Sequence, residues 1–497
     1  MLSRDEILAA YAAGPQAIVQ VVEASQAEVR QQVATLIAPV AELTARLNKD
    51  SHNSHKPPSS DPAPDGGGRC GLAKKPPTRS LRKRSGTLRE SGGQAGHPGV
   101  TLALVDDPTD RQVWAPRTCD ACGAALAQAK VVTTERRQVV DLPEPQLEMV
   151  EHQALHKVCP RCQAVTAGTF PPEVTQPVQY GPRLKATAVY LQIGQFLSAA
   201  RERTVESLRD VFGVAPSEGA LTTAQAPAYT RLEPIETAIV TALRQQAVLT
   251  VDESGARVAQ ALHWIHVAGT DTLTYYARHA KRGYDAILAV GILVGFTGRR
   301  VHDALAAYLK LPGFAKRALC NAHLLRDLIA LVEDSEQAWA ARLIRLLVHM
   351  KDAVAEARAA GLTELPARQR AGFEAAYTRL IQRGDKANPP SPPTGRRGRT
   401  KQTPARNLLD RLITHRGAVL AFLPDFHAPF DNNRAERDLR MIKVKLKVSG
   451  CFRSPEGADY FCRIRGYIST LRKQDYSAFD GLVSVFAGQP YMPRLDA

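Results

Sequence analysis

A chain of 497 residues, 44% of them hydrophobic, is long enough for about three domains and a sizeable core. Its net charge of +16 and pI near 9.6 suggest a polyanionic partner, nucleic acid before a membrane surface. It has no apolar run of roughly 18 residues to span a bilayer, and the acids in MLSRDEILAAYAAG make a poor signal peptide, so a protein with reduced thiols is expected, cytoplasmic and without a membrane.

From Val22 to Leu47 the apolar residues step by three and four. Val29, Val33, Leu36, Val40, Leu43 and Leu47 fit one seam of a coiled coil, or equally the inner face of a plain amphipathic helix. Pro39 costs about 3 kcal/mol in a helix interior and would kink or break the run. Residues 1–47 are therefore expected to be helical. Residues 48–100 read as a linker: first a stretch rich in Pro, Ser and Gly, then a basic run with Lys74, Lys75, Arg79, Arg82, Lys83, Arg84 and Arg89. That run can neutralise phosphates or serve as a solvated tail.

Paired cysteines follow, Cys119 with Cys122 and Cys159 with Cys162. Two CxxC knuckles can place four thiolates around one tetrahedral zinc, and four protein ligands leave no open position, so the metal would be structural. The stretch between them, KVVTTERRQVVDLPEPQLEMVEHQALHKV, is strand-like and predicts the ribbon of a zinc domain over 101–175. Cys320 and His323 share CxxH spacing, for which a packing role is expected. Residues 176–246 read as helices, and RTVESLRDVFGVAPSEGALTTAQA, with a turn at Gly213 and a second helix starting near Ser217, resembles a helix-turn-helix that would bind DNA.

From Ala247 the period changes to two. AVLTVDESGARVA, ALHWIHVAG and DTLTYYARHA read as three strands, GYDAILAVGIL as a helix and the start of RRVHDALAAY as a fourth strand. Strand, strand, strand, helix, strand is the order of an α/β ribonuclease H-like fold. It places Asp252 on the first strand and Asp303 at the end of its neighbour, where two carboxylates can hold hard divalent cations. Alternation would point Glu253 to the opposite face.

A third acid must come from a later helix. In FDNNRAERDLR, Asn432 or Asn433 can cap a helix whose first turn carries Glu436. With Asn433 as cap, Glu436 could reach back to the cap's N–H and have no other role. At about 100° per residue, Arg440 and Lys443 share its face, although KVKLKV alternates and could end the helix before Lys443. Asp431 and Asp438 are alternative acids.

The blocks SHNSHKPPSSD, GGQAGHPG, VDESG, VHDALAAY, LCNAHLLRDL, ARNLLDRL, PFDNNRAERDLRMIKVKLKVSGCFRS and RIRGYISTLRKQ together resemble transposases of the insertion sequence 66 family, a branch of the DDE transposases. The resemblance spans nearly the whole chain and implies that Asp252, Asp303 and Glu436 are the acidic triad. They would hold magnesium or manganese for cleavage and strand transfer at the ends of an insertion sequence. Two departures leave the carboxylates in place: Ala304 and Leu305 stand where Gly and Trp are common, and Ser254 where Thr is usual.

The resemblance also implies a catalytic core over 247–323 and 412–475, a helical insertion over 324–411 and a C-terminal tail over 476–497. Arg437, Arg440 and Lys443, with Lys74, Lys75, Arg82, Lys83 and Arg84, would meet DNA phosphate. Implied partners are element ends, target DNA, further copies of the chain and accessory proteins of the same element, in a bacterial cytoplasm beside the nucleoid. The rival readings are a ribonuclease H-like nuclease that does not transpose, and a zinc-ribbon DNA-binding regulator or inactive copy.

Overall fold

In the computed structural model the described residues are 102–197, 202–311, 316–393 and 400–496, with a few positions before residue 32. The coiled-coil seam, the linker and the basic run with Lys74, Lys75, Arg82, Lys83 and Arg84 lie outside them. The chain forms two compact units, Asp65–Glu148 and the remainder.

In the described part of the first unit, the chain turns back at Cys119–Cys122 and is otherwise without helix or strand. The expected ribbon does not form: from 129 to 155 no strand is present, and Val131, Val132, Val139, Val140 and Met149 are exposed. Alternating apolar residues make a strand only where a partner strand accepts the backbone hydrogen bonds, and Pro143 and Pro145 remove two donors.

The second unit opens with a short antiparallel hairpin, β1 (His156–Val158) with β2 (Val165–Ala167). Helices follow: α1 (Pro182–Val189), which continues as a π-helical turn over Tyr190–Gly194, then α2 (Glu202–Phe212), α3 (Glu218–Thr223), α4 (Gln225–Arg231) and α5 (Glu233–Gln245). The turn between α2 and α3 sits where the sequence puts it. Gly213 takes the left-handed φ of +67°, and the Ser217 hydroxyl accepts the Ala220 N–H at 3.2 Å to start α3.

A five-stranded sheet forms the centre. β3 (Val248–Val258), β4 (Ala261–Gly269) and β5 (Thr274–His279) are an antiparallel meander; α6 (Tyr284–Val290) crosses over to β6 (Arg299–His302), which runs parallel to β3. After the short α7 (Ala306–Leu309), β7 (Arg317–Leu319) adds a further parallel strand that the sequence did not reveal. The sheet order is β5-β4-β3-β6-β7, with β3 in the middle.

Five helices come next: α8 (Asn321–Ser335), α9 (Ala338–Ala359), α10 (Ala367–Ala387), α11 (Pro404–Thr414) and α12 (Arg416–Val419). They enclose a second core that also takes in Val301 of β6 and Ala318 and Leu319 of β7. In α9, Trp339, Leu343, Leu347, Met350 and Val354 recur at helical spacing and are buried against partners such as Tyr377, Ile381 and Leu409. The chain then returns to the sheet as α13 (Asn433–Ser449), α14 (Pro455–Lys473) and α15 (Ala478–Phe486). α14 lies along β5 and buries Phe461, Ile464, Tyr467, Ile468 and Leu471 in the core that also holds the inner side chains of β3 and β4.

One glycine fixes the register that matters. Gly298 precedes β6, and the Arg299 N–H bonds to Ala247 O at 2.7 Å. A Cβ at 298 would meet the Phe296 ring and the carbonyl oxygens of Gln246 and Ala247, the last at 2.8 Å. Backbone atoms cannot rotate away as a side chain can. Gly298→Ala is therefore expected to cost about 1–3 kcal/mol in urea unfolding, the range of overpacked sites. An unchanged midpoint would show that β6 can slide without penalty.

Candidate active site

The parallel register of β3 with β6 pairs Val248 with Arg299 and Thr250 with Val301. Two residues further along each strand stand Asp252 and Asp303. One carboxylate oxygen from each of Asp252, Glu253 and Asp303 lies within 4.8 Å of the others. Strand alternation would take Glu253 to the opposite face, but its longer side chain joins the pair, and the Arg282 guanidinium holds its Oε1 at 2.8 Å.

This crowding has an electrostatic signature. Burial, then the charges of Glu253 and Asp303, push the Asp252 carboxyl up to about 8. The Glu253 N–H donating to Asp252 Oδ1 at 2.8 Å pulls the other way, and the Glu436 charge adds a further upward push. Glu253 is raised too, by burial first and then by Asp303, against the opposing Tyr308 hydroxyl and Arg282. Asp303 accepts the Leu305 N–H on Oδ1 at 3.0 Å.

Glu436 stands in the first turn of α13. Asn432 is the N-cap, rather than Asn433, and its side chain does not cap. Instead Asn432 is wholly buried and acts as a bridge. Its Nδ2 donates to Val251 O at 2.9 Å, next to Asp252, and its backbone N–H donates to Cys320 Sγ at 3.1 Å, just past β7. The Cys320 N–H in turn reaches His302 O at 3.0 Å, beside Asp303. The start of α13 is thereby tied to both strands that carry the aspartates.

The carboxylate of Glu436 does not reach back to the cap. Its Oε1 lies 3.5 Å from His323 Nδ1 and its Oε2 lies 3.4 Å from Arg326 Nη2, both on α8. Cys320, His323 and Glu436 each offer a ligand atom within 4.8 Å of the others. Cys320 and His323, for which packing was expected, thus stand beside Glu436; their CxxH spacing marks the two as a pair but does not point to Glu436. Oε1 of Glu436 and Nδ1 of His323 are buried with no hydrogen-bond partner among the described residues.

The other acids of this segment are engaged elsewhere. Asp438 pairs with Lys473 at 2.8 Å, and Asp431 accepts the Asn433 N–H at 3.1 Å. The helix does not end before Lys443 but runs to Ser449. The stem of Lys445 is buried and its Nζ donates to Gly450 O at 2.9 Å, so an alternating sequence is accommodated on a helix. Arg437, Arg440 and Lys443 are exposed along α13.

Oxygen donors at this density suit a hard divalent cation such as magnesium or manganese. Asp252 and Glu253, each pushed up by burial and by a neighbouring carboxylate, form a poor arrangement for any site except one that receives positive charge.

The cysteine knuckles are built alike, each within its own unit. The Cys119 N–H donates to Ala124 O at 2.9 Å and the Gly123 N–H to Cys119 O at 2.8 Å, with Gly123 at φ +74°. The Cys159 N–H donates to Ala164 O at 2.8 Å and the Gln163 N–H to Cys159 O at 2.9 Å, with Gln163 at φ +61°. In both, the amides two and three residues on point at the first sulfur and lower its thiol pKa, the amide of Cys122 before that of Ala121 and that of Cys162 before that of Arg161. Such amides favour a thiolate, the form that binds zinc.

An α/β sheet domain preceded by cysteine knuckles has the make-up of a transposase with a zinc-finger module, and comparison with known families agrees. Residues 177–460 match the family described as "Transposase IS66 family", residues 116–163 match the "zinc-finger binding domain of transposase IS66", and residues 15–103 match a family of unknown function. No curated protein matches the chain. The first match takes in more than half of the sequence, and the chain belongs to the IS66 transposase family. Among the described residues no helix is long and apolar enough to cross a membrane.

Proposed function

We propose that this transposase binds the ends of its insertion sequence and carries out metal-dependent cleavage and strand transfer, with Asp252, Asp303 and Glu436 as the catalytic triad. The observation that carries the reading is the β3–β6 register, which sets Asp252 beside Asp303, with the helix of Glu436 tied to the same strands through Asn432. The sheet order and the meander–helix–strand sequence support a ribonuclease H-like core over 247–323 and 412–475. The run of helices α8–α12 between β7 and α13, on a core distinct from that of β4, β5 and α14, supports reading 324–411 as an insertion.

The triad would hold magnesium or manganese, which supplies activation of a water or 3′-hydroxyl nucleophile and stabilisation of the leaving oxygen. Arg326 holds the Glu436 carboxylate through Oε2, with His323 standing beside Oε1, and Arg282 restrains Glu253 beside the aspartates. Arg437, Arg440 and Lys443 meet DNA phosphate from the exposed side of α13, and the basic run from Lys74 to Arg84 adds sequence-independent attraction. The α2–α3 turn serves end recognition, in an assembly of more than one copy.

The matched zinc-finger family and the CxxC spacing support one structural zinc held by Cys119, Cys122, Cys159 and Cys162. Changing either Cys119 or Cys159 to Ser is expected to bring bound zinc, measured by elemental analysis, from about one per chain to near none. Unchanged zinc content would remove this assignment.

The function is tested by incubating labelled DNA carrying the element's ends with the protein, with and without magnesium, beside Asp303→Asn. Cleavage and joining that need both metal and Asp303 are expected. Cleavage without joining would instead favour a nuclease, and binding alone in magnesium or manganese would favour a regulator, an inactive copy or a missing accessory protein.

A further inference from the structure

The arginines of the helical stretch fall into two groups. Five are paired with acids: Arg326 with Glu436, Arg370 with Glu364, Arg406 with Asp385 and Asp410, Arg411 with Asp327, and Arg416 with Glu374. Of the other described ones, Arg358 donates to Phe426 O, Arg368 stands at the start of α10, and four cluster together. Arg342 and Arg345 on α9 and Arg379 and Arg383 on α10 are exposed, and none of them is in an ion pair among the described residues. These four, with His349, line a groove of about 510 Å³ along the α9–α10 pair.

Their spacing is regular. Arg342, Arg345 and His349 stand at i, i+3 and i+7 on α9, so they share one face; Arg379 and Arg383 stand at i and i+4 on α10. The floor is Leu346, Ala376 and Leu380, so the guanidinium groups rim an open channel with no carboxylate on its lining. Neighbouring like charges on facing helices repel each other and weaken the pair. Acids are available on the same helices, yet Glu374 of α10 is spent on Arg416. Uncompensated repulsion in a surface with no packing need for it is a feature of a site that receives an anion.

We propose that the α9–α10 groove binds the phosphate backbone of duplex DNA from the element's own end, beyond the phosphate being cut. The ligand is a row of phosphates: a guanidinium fork on each wall suits phosphate oxygens, and the apolar floor offers no pattern of donors and acceptors that would read a base. End DNA is favoured over target DNA because α8, which carries the His323 and Arg326 that touch Glu436, packs directly on α9. End DNA occupies the catalytic site at every step, whereas target DNA is needed only for joining. The inference rests on the proposed function for the identity of the DNA.

The test uses the full-length protein and the variant Arg345→Ala/Arg379→Ala. Binding to end DNA is measured at several salt concentrations, with cleavage and joining followed separately. Each lost phosphate contact is expected to reduce the log–log salt slope by about 0.9, so the pair reduces it by about 1.8. The wild type's advantage in affinity then shrinks about tenfold between 50 and 200 mM salt. Cleavage should fall along with binding at subsaturating protein. Thermal melting should be unchanged or higher, since only repelling surface charges are removed.

An unchanged salt slope would overturn the proposal. Normal binding and cleavage of ends with a defect only in joining would also overturn it, by moving the groove to target DNA. Because binding is read directly, a wild type that binds ends but never cleaves them would defeat the proposed catalysis and leave the groove measurable.

Discussion

Asp252→Asn is expected to abolish cleavage and at the same time to stabilise the protein. The loss follows from the role proposed for Asp252: a ligand that stabilises transition-state charge through the metal is worth several kcal/mol, or about three orders of magnitude in rate. The gain follows from geometry that does not depend on the proposed chemistry. Burial, Glu253 and Asp303 hold the Asp252 carboxyl at about 8, so at neutral pH folding forces the group either to take up a proton or to keep a charge among other charges. An amide of the same shape has neither cost. The stabilisation, measured by urea unfolding with magnesium left out, is expected to be on the order of a few kcal/mol at pH 7. A variant that keeps cleaving would remove Asp252 from the triad. One that is inactive but less stable than wild type would show that the carboxylates are not in conflict.

The second expectation concerns pH and magnesium together. Asp252 is an acid whose folded-state pKa, about 8, lies above its ordinary 3.8. Between those values the folded protein holds a proton that the unfolded chain has released. Its contribution is therefore fully present below pH about 4 and is lost as pH rises toward about 8, by up to about 6 kcal/mol. Magnesium should reverse the trend, because the cation takes the place of the proton. Stability should rise by about 1.4 kcal/mol per decade of magnesium above its dissociation constant, and the rise should begin at lower magnesium at pH 8 than at pH 6. Cleavage at limiting magnesium should likewise climb between pH 6 and 8, with a midpoint that moves down as magnesium is raised. Melting temperatures that ignore magnesium at both pH values would mean that the cluster does not take up the cation.

Local signals made much of the sheet legible. The alternation in AVLTVDESGARVA, ALHWIHVAG and DTLTYYARHA corresponds to β3, β4 and β5, and the parallel pairing of β3 with β6 sets Asp252 beside Asp303 as that order requires. Gly213 and Ser217 mark a turn and a cap through backbone chemistry that needs no tertiary context. What escaped was set by distant partners. The stretch before His156 has strand composition but no strand to pair with. β7 is three residues long, too short to show a period. The reach of Glu253, in the middle of β3, depends on side-chain length, which alternation of Cβ atoms does not describe. KVKLKV alternates yet is helical, with the stem of Lys445 buried in the packing of α13 and its head on Gly450 O. The proximity of Cys320 and His323 to Glu436 spans more than a hundred positions and is written in no local pattern.

The bond between Asn432 and Cys320 joins residues 112 apart, and its neighbour, from the Asn321 N–H to Phe430 O at 3.0 Å, closes beside it. Everything between these two bonds is therefore a closed loop whose ends meet at one clamp, with Asp425 also paired to Arg299 and its inner helices packed on Val301, Ala318 and Leu319. Closing a flexible loop costs entropy that grows only with the logarithm of its length, so each doubling costs about 0.6 kcal/mol more. The α8–α12 stretch could lengthen, shorten or exchange its outer helices at small expense, provided its two ends still meet. Glu436 would stay in place, held from the inner helix α8, while the outer surface proposed to meet DNA was free to diverge.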